Sequence, residues 1–327
     1  MSLFQTSAWQ HAWWREWGRT PGFRLLGAGG AGASGLYLDK YLFKRLIPVR
    51  CLQYVGTNYR RISTPRTEYN SISPTNESFE ASVRRFESLL SSCRWSEAVF
   101  RDVSKGSREA TYLESLAGEA GWGYRVVDED TAYAVETRGR FDDYLAKLGP
   151  NTRLRLYNRR KVLETCGEIT LADAWPDNVG YFLDLLNAFH VKRWQQPCFS
   201  ERSLRFHFDF LDKIGEEGGV PDLSILYCDG NPVSVLYNVR YRGRIYNIQS
   251  GFELGLHKKL SLGTLHLGYS IEDAFREPDV TVFDLLAGAG KNEDYKSRLA
   301  TSTEALVSVM LVKKPLFKML YWLKSGI

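Results

Sequence analysis

An apolar run that ends in a carboxylate, continues through glycines and reaches a Tyr-Lys pair is the part of this 327-residue chain best suited to chemistry. Thr281-Val282-Phe283 reads as a strand with Asp284 at its end, Gly288 and Gly290 follow, and Tyr295-Lys296 comes next. A strand end holds a polar group rigidly, and glycine lets backbone approach a ligand closely. In such a setting Asp284 can orient an acceptor or act as base, and Lys296 can pair with it or bind phosphate. The simpler alternative is a strand-to-loop junction with Asn292 as a helix N-cap.

A second group lies upstream. His190 and Arg193 are one helical turn apart and share a face. Histidine titrates near neutrality and is a natural base for an attacking hydroxyl or ammonium, although a histidine among aromatic neighbours also serves structure alone. Ser261-Leu262-Gly263-Thr264 opens a predicted helix, with Lys258 and Lys259 just before it. Free N–H groups at a helix start attract anions, and the pyrophosphate of an acyl-CoA is one. An ordinary capped helix is the competing reading.

Other motifs fail on context. Gly27-Ala28-Gly29-Gly30-Ala31-Gly32 matches the dinucleotide fingerprint, yet the following Ala33-Ser34-Gly35-Leu36-Tyr37-Leu38 is strand-like where a helix is required, so a hairpin loop is expected. Ala289-Gly290-Lys291-Asn292 falls short of a P-loop, because Leu285 stands where its first glycine belongs and Asn292 replaces the magnesium-binding hydroxyl. Arg153, Arg155, Arg159, Arg160 and Lys161 crowd one predicted helix, as a solvated face or a contact for phosphate or uronate.

Hydrophobic content of 44% and charged content of 25% are those of a globular protein. The five cysteines are scattered, without a Cys-x-x-Cys, and read as free thiols in a reducing cytoplasm. No His-x-x-x-His or Glu-x-x-His spacing occurs, so no metal is expected. The net charge of +5 is too mild for a nucleic-acid partner and suits a small anionic molecule. No signal peptide and no membrane-spanning run is read, which gives a cytoplasmic location. The basic, amphipathic stretch Lys313 to Lys324 reads as a packed helix, with peripheral membrane contact as the minor alternative.

These elements must be positioned by α/β (mixed α+β) domains. Trp9, Trp13 and Trp17 place three indoles on one helical face, as a core stripe. Strands are expected at 23–26, 36–38, 46–49, 52–55, 98–100, 124–127 and 132–135, with helices at 78–90 and 111–120. The second half reads as helices at 141–147, 152–166, 177–194 and 203–216, strands at 223–227, 232–241 and 244–250, a helix at 262–275, a strand at 280–285 and a helix at 293–299. Two domains are expected, residues 1–140 and 141–327.

Read in order, His190-Val191-Lys192-Arg193-Trp194, Gly230-Asn231-Pro232-Val233, Tyr246 through Gln249 to Phe252, Leu260 to Leu265, Phe283-Asp284-Leu285 and Tyr295-Lys296 resemble the GNAT-like acetyltransferases linked to cellulose and exopolysaccharide synthesis, the CelD/BcsL group. Near the N-terminus, Ser7-Ala8-Trp9 through Trp13-Trp14 and Leu52 to Gly56 look like that family's opening, and Thr67-Glu68-Tyr69 is a looser match to its Ser-Asp-Tyr. The resemblance implies two tandem GNAT-like domains, each a mixed central sheet flanked by helices, as in the related FemAB-like proteins. It implies an acyl-CoA, such as acetyl-CoA, as co-substrate and no metal. Asp284, His190 and Lys296 would serve catalysis, Lys259 and Ser261 to Thr264 the donor, and Arg193, Tyr246, Gln249 and Tyr295 a sugar-containing glycan or small-molecule acceptor. The single glycine departs from the two-glycine Gln/Arg-x-x-Gly-x-Gly/Ala loop of ordinary GNAT enzymes. Two alternatives stay open: a FemAB-type aminoacyltransferase fed by aminoacyl-tRNA, and a non-catalytic scaffold in a polysaccharide-synthesis complex.

Overall fold

The computed structural model describes residues 1–27, 35–73, 77–288 and 291–325. Along the chain these form α1 (Ser7–Trp17), β1 (Phe23–Leu26), β2 (Leu36–Phe43), β3 (Ile47–Tyr54), α2 (Phe79–Ser91), β4 (Glu97–Ser104), α3 (Arg108–Glu119) and β5 (Gly123–Glu136). There follow α4 (Phe141–Lys147), α5 (Pro150–Arg153), a π-helical turn (Leu154–Asn158), α6 (Arg160–Glu164), β6 (Ile169–Asp173), α7 (Val179–Trp194) and α8 (Glu201–Ile214). The last elements are β7 (Val220–Cys228), β8 (Asn231–Tyr241), β9 (Arg244–Phe252), α9 (Leu262–Arg276), β10 (Val282–Ala287), α10 (Lys291–Leu299), β11 (Ser302–Val312) and α11 (Pro315–Ser325). Two compact units result, one of Met1–Thr131, Arg205–Lys213 and Glu304–Ile327, the other of Ala132–Leu204 and Ile214–Thr303. Each holds a mixed sheet with helices, so the mixed α/β class expected from sequence is the one observed.

In the first unit the strand order is β1-β2-β3-β4-β11. Only β3 and β4 pair in parallel; the other neighbours are antiparallel. Trp9, Trp13 and Trp17 are all buried, and Trp9 packs edge-on against Phe4, Phe206 and Phe210. The indole stripe of α1 is therefore core. Residues 28–34 lie outside the described residues, but β1 pairs antiparallel with β2 from Leu36 onward, so a strand follows the glycine run.

In the second unit the order is β5-β10-β9-β8-β7-β6, with residues 132–136 of β5 as one edge. Leu267, Ile271 and Ala274 of α9 pack with Leu236, Ile245, Phe283 and Leu285 of the sheet. On α7, Leu186 and Phe189 lie against Gly251 so closely that a Cβ there would come within 3.1 and 3.2 Å of them.

Several local expectations need correction. Segments 124–127 and 132–135 are one strand, β5. Its acidic middle makes Arg101–Asp128, Lys105–Glu129 and Arg66–Asp130 ion pairs, with partners that a propensity scale does not see. Segments 46–49 and 52–55 likewise merge in β3. The single helix expected over 152–166 is interrupted by the π-helical turn, where the Leu156 carbonyl comes so near α9 that a Cβ on Gly268 would lie 2.0 Å from it. Strand β6 went unread because it is an edge with four of its five residues exposed, which erases the alternation that marks a strand.

Candidate active site

Strands β9 and β10 are parallel neighbours joined through α9. Their pairing runs from Val282↔Arg244 through Phe283↔Ile245 to Asp284↔Tyr246 and stops. Both strands continue, β9 along β8 to Phe252 and β10 along β5 to Ala287. The two strands part beyond Asp284 and Tyr246. Such a split between parallel strands, at their carboxyl ends, is a ligand-binding position in open α/β sheets.

A bulge shapes the split. The β5–β10 register shifts between Asp284 and Leu286, and Leu286 has a left-handed φ of 61°. For a leucine this conformation costs about 1–2 kcal/mol, so neighbouring groups must hold it. Asp284 Oδ1 accepts from the Leu286 N–H at 2.8 Å, and Oδ2 accepts from Arg244 Nη1 at 2.8 Å. Lys296 Nζ donates to the Leu286 carbonyl at 3.1 Å and the Ala287 carbonyl at 2.8 Å. Asp284 is fully buried and Lys296 nearly so. The structure thus brings Asp284 and Lys296 to one bulge, each bonded to backbone there. Arg244, the cationic partner of Asp284, was not singled out from sequence; it carries no motif and reaches Asp284 only through strand register.

A second cluster lines β9. His190 Nε2 lies 3.0 Å from the Ser250 carbonyl. Because a carbonyl only accepts, Nε2 carries the proton and the neutral ring presents its lone pair at Nδ1. Burial pushes the His190 pKa down, the Ser250 bond opposes that shift, and the Arg193 charge adds to it. The Arg193 guanidinium stacks 4.7 Å from Phe252 and 4.8 Å from Trp194. Tyr295 has its pKa raised by burial, with Arg193 acting in the opposite direction, which keeps the phenol protonated. Gln249 Oε1 accepts from the Ser250 N–H at 3.0 Å, and Tyr246 is buried beside Asp284 in register. His190, Arg193, Gln249 and Tyr295 therefore gather around the outer half of β9.

The start of α9 has no side-chain hydrogen bond at its N-cap, Ser261. Its first N–H groups cannot be used within the helix, and Lys258 and Lys259 are exposed just upstream. Ser261 and Thr264 are half-buried, whereas Leu262 belongs to a core cluster. The Gly263 position has a structural cause that sequence did not reveal: a Cβ there would lie 2.6 Å from the Phe252 ring. Donor groups at this helix start suit a pyrophosphate, with Gly263 seating Phe252. Ala289, Gly290 and the side chains of residues 291–294 lie outside the described residues, and with them the readings placed on Asn292.

Of the basic run, Arg160 faces inward, paired with Glu272 and stacked 3.8 Å from Tyr269. His266 bridges Ser224 and Ser234 at 3.0 Å each, and burial pushes its pKa down to about 3. Among the described residues no group of three or more His, Cys, Asp or Glu is placed to hold a metal ion, and no helix is long and apolar enough to cross a membrane.

Residues 150–297, which contain the parted strands and α9, match the family model described as the acetyltransferase (GNAT) domain. The matched stretch is just under half of the chain, and over it the protein is similar to that family; the protein is an acyltransferase. No curated protein matches the chain. Among solved structures it is similar in fold to FemX, at 11% identity and a TM-score of 0.59 over 97% of this chain and 94% of that one. It is also similar to a conserved protein of unknown function from Bacteroides thetaiotaomicron, at 11% identity and a TM-score of 0.58 over 95% and 91%. The C-terminal domain of a putative lysylphosphatidylglycerol synthetase from Agrobacterium fabrum gives 12% identity and a TM-score of 0.52 over 99% and 93%.

Proposed function

We propose that the second unit transfers an acyl group from acyl-CoA, most simply acetyl-CoA, to an amine or hydroxyl of a sugar-containing acceptor in polysaccharide or cell-envelope biosynthesis. The parting of β9 from β10 at Tyr246 and Asp284 carries this reading. The gap that opens beyond these residues can seat the thioester and its developing oxyanion, while the α9 N-terminus, Ser261, Thr264 and Lys259 meet the pyrophosphate. The ordered segments that resemble the CelD/BcsL group support a glycan acceptor and a cytoplasmic setting.

When bound, the thioester supplies an activated acyl carbonyl. His190 Nδ1 takes the proton from the attacking amine or hydroxyl, and the tautomer fixed by Ser250 suits that task. Tyr295, kept protonated by burial, donates towards the leaving sulfur. Asp284, Arg244 and Lys296 hold the bulged strand in place, and Arg193 with Gln249 orients the acceptor. Positioning and electrostatics provide the rate, with no metal in the scheme.

A FemAB-type aminoacyltransferase is the second reading, favoured by the fold likeness to FemX along nearly the whole chain. Incubating the protein with radiolabelled acetyl-CoA or with aminoacyl-tRNA and a set of amino sugars separates the two. Acyl transfer from acetyl-CoA alone is expected. Transfer only from aminoacyl-tRNA would replace the proposal with the second reading.

A further inference from the structure

Helix α11 is apolar on two sides. Phe317 is buried and Tyr321 half-buried in a cluster with Val49, Cys51, Val99, Met310 and Val312, and the Tyr321 hydroxyl donates to the buried Glu97. These contacts fix the rotation of the helix. On its other side Leu316, Met319, Trp322 and Leu323 are exposed by 52%, 52%, 66% and 62%. At 3.6 residues per turn the four occupy about a third of the circumference, a continuous outward stripe. Large apolar side chains grouped in this way mark a surface that meets something else.

The surrounding charge is of one sign. Residues 313–325 contain Lys313, Lys314, Lys318 and Lys324 and no acid. Phe43 and Ile47 of the β2–β3 hairpin pack in the same cluster as Phe317 and Tyr321, and its tip, Lys44-Arg45-Leu46, is exposed. Residues 40–50 likewise contain Lys40, Lys44, Arg45 and Arg50 and no acid. We infer that the outer face of α11, together with this hairpin tip, docks on an anionic lipid surface. Its apolar stripe with a tryptophan enters the headgroup boundary while the lysines and arginines meet lipid phosphates. A second copy of the chain fits less well, because a two-fold contact would set lysine against lysine. The inference is independent of the acyl-transfer reading.

The test uses the full chain and vesicles of phosphatidylcholine with about one-third phosphatidylglycerol, beside vesicles of phosphatidylcholine alone. Co-sedimentation with the anionic vesicles, lost in high salt, is expected. Trp322→Ser with Leu323→Ser should lower the bound fraction about tenfold, and Lys314→Gln with Arg45→Gln several-fold, with melting unchanged. Absence of wild-type binding to anionic vesicles, or equal binding by the serine variant, would overturn the inference. So would light scattering that shows a wild-type dimer converted to monomer by the serine variant, which would assign the face to a second copy.

Discussion

Asp284 and Lys296 grip the same residue from its two backbone ends: Asp284 accepts the Leu286 N–H at 2.8 Å, and Lys296 donates to the Leu286 carbonyl at 3.1 Å. Between them they hold a leucine in a left-handed conformation next to the place where β9 and β10 part. Asp284→Asn keeps an acceptor for that N–H but removes the charge opposite Arg244; Lys296→Met removes the ammonium that donates to both the Leu286 and Ala287 carbonyls. The expected losses are about 1–2 kcal/mol for the first and about 2–4 kcal/mol for the second. In the folded fraction of each, acyl transfer should fall on the order of a hundredfold. Melting curves paired with single-turnover transfer check this, and full turnover in folded variants would assign the pair to stability alone.

Gly263 tests how the helix start is built. Gly263→Val places a side chain where the Phe252 ring stands, so a destabilisation of about 1–3 kcal/mol is expected before any effect on a ligand. Phe252→Ala in the same chain should recover part of that loss. Chemical denaturation of the two single variants and the double variant measures the coupling, and strictly additive effects would contradict the packing account.

The pH dependence of transfer should report His190. Arg193 lowers the histidine pKa, so Arg193→Met should move the acid limb of the rate profile to higher pH. His190→Gln should remove that limb and slow the reaction by two to four orders of magnitude, the usual weight of a general base. An acid limb that persists in the glutamine variant would assign the base elsewhere.

Much of this site was legible because strands, helix starts and chemical residue types leave local marks. Asp284 at a strand end, the glycine turn at Ser261 to Thr264 and the shared face of His190 and Arg193 needed no distant contact to be noticed. Arg244 and Phe252 did. Their roles arise from register and from packing across α9, which no short window encodes. The interleaving of the two units is of the same kind, since residues 205–213 and 304–327 join the first unit by tertiary contact alone. The β6 edge and the acidic centre of β5 were obscured for a different reason: both are largely exposed and carry no apolar rhythm, and β6 is held by its backbone ladder with β7.

His266 should make stability sensitive to acid. Its folded pKa lies at about 3, below the ordinary histidine value, so the unfolded chain binds the proton first as pH falls. Stability from this group is complete above about pH 6.5 and is lost towards pH 3, by on the order of 4 kcal/mol. His207, held near the same value by burial, adds in the same direction. His266→Gln should flatten the pH dependence of urea denaturation between pH 7 and 4 relative to wild type; an unchanged slope would rule out the buried neutral ring as its source.

Hydrogen–deuterium exchange with and without acetyl-CoA tests the location of the donor most directly. Slower exchange is predicted along 247–252 of β9, at the first turn of α9 over 262–265 and along 285–287 of β10. Exchange unchanged in all three segments at saturating acetyl-CoA, or protection confined to the first unit, would contradict the assignment of the parted strands as the acyl-donor site.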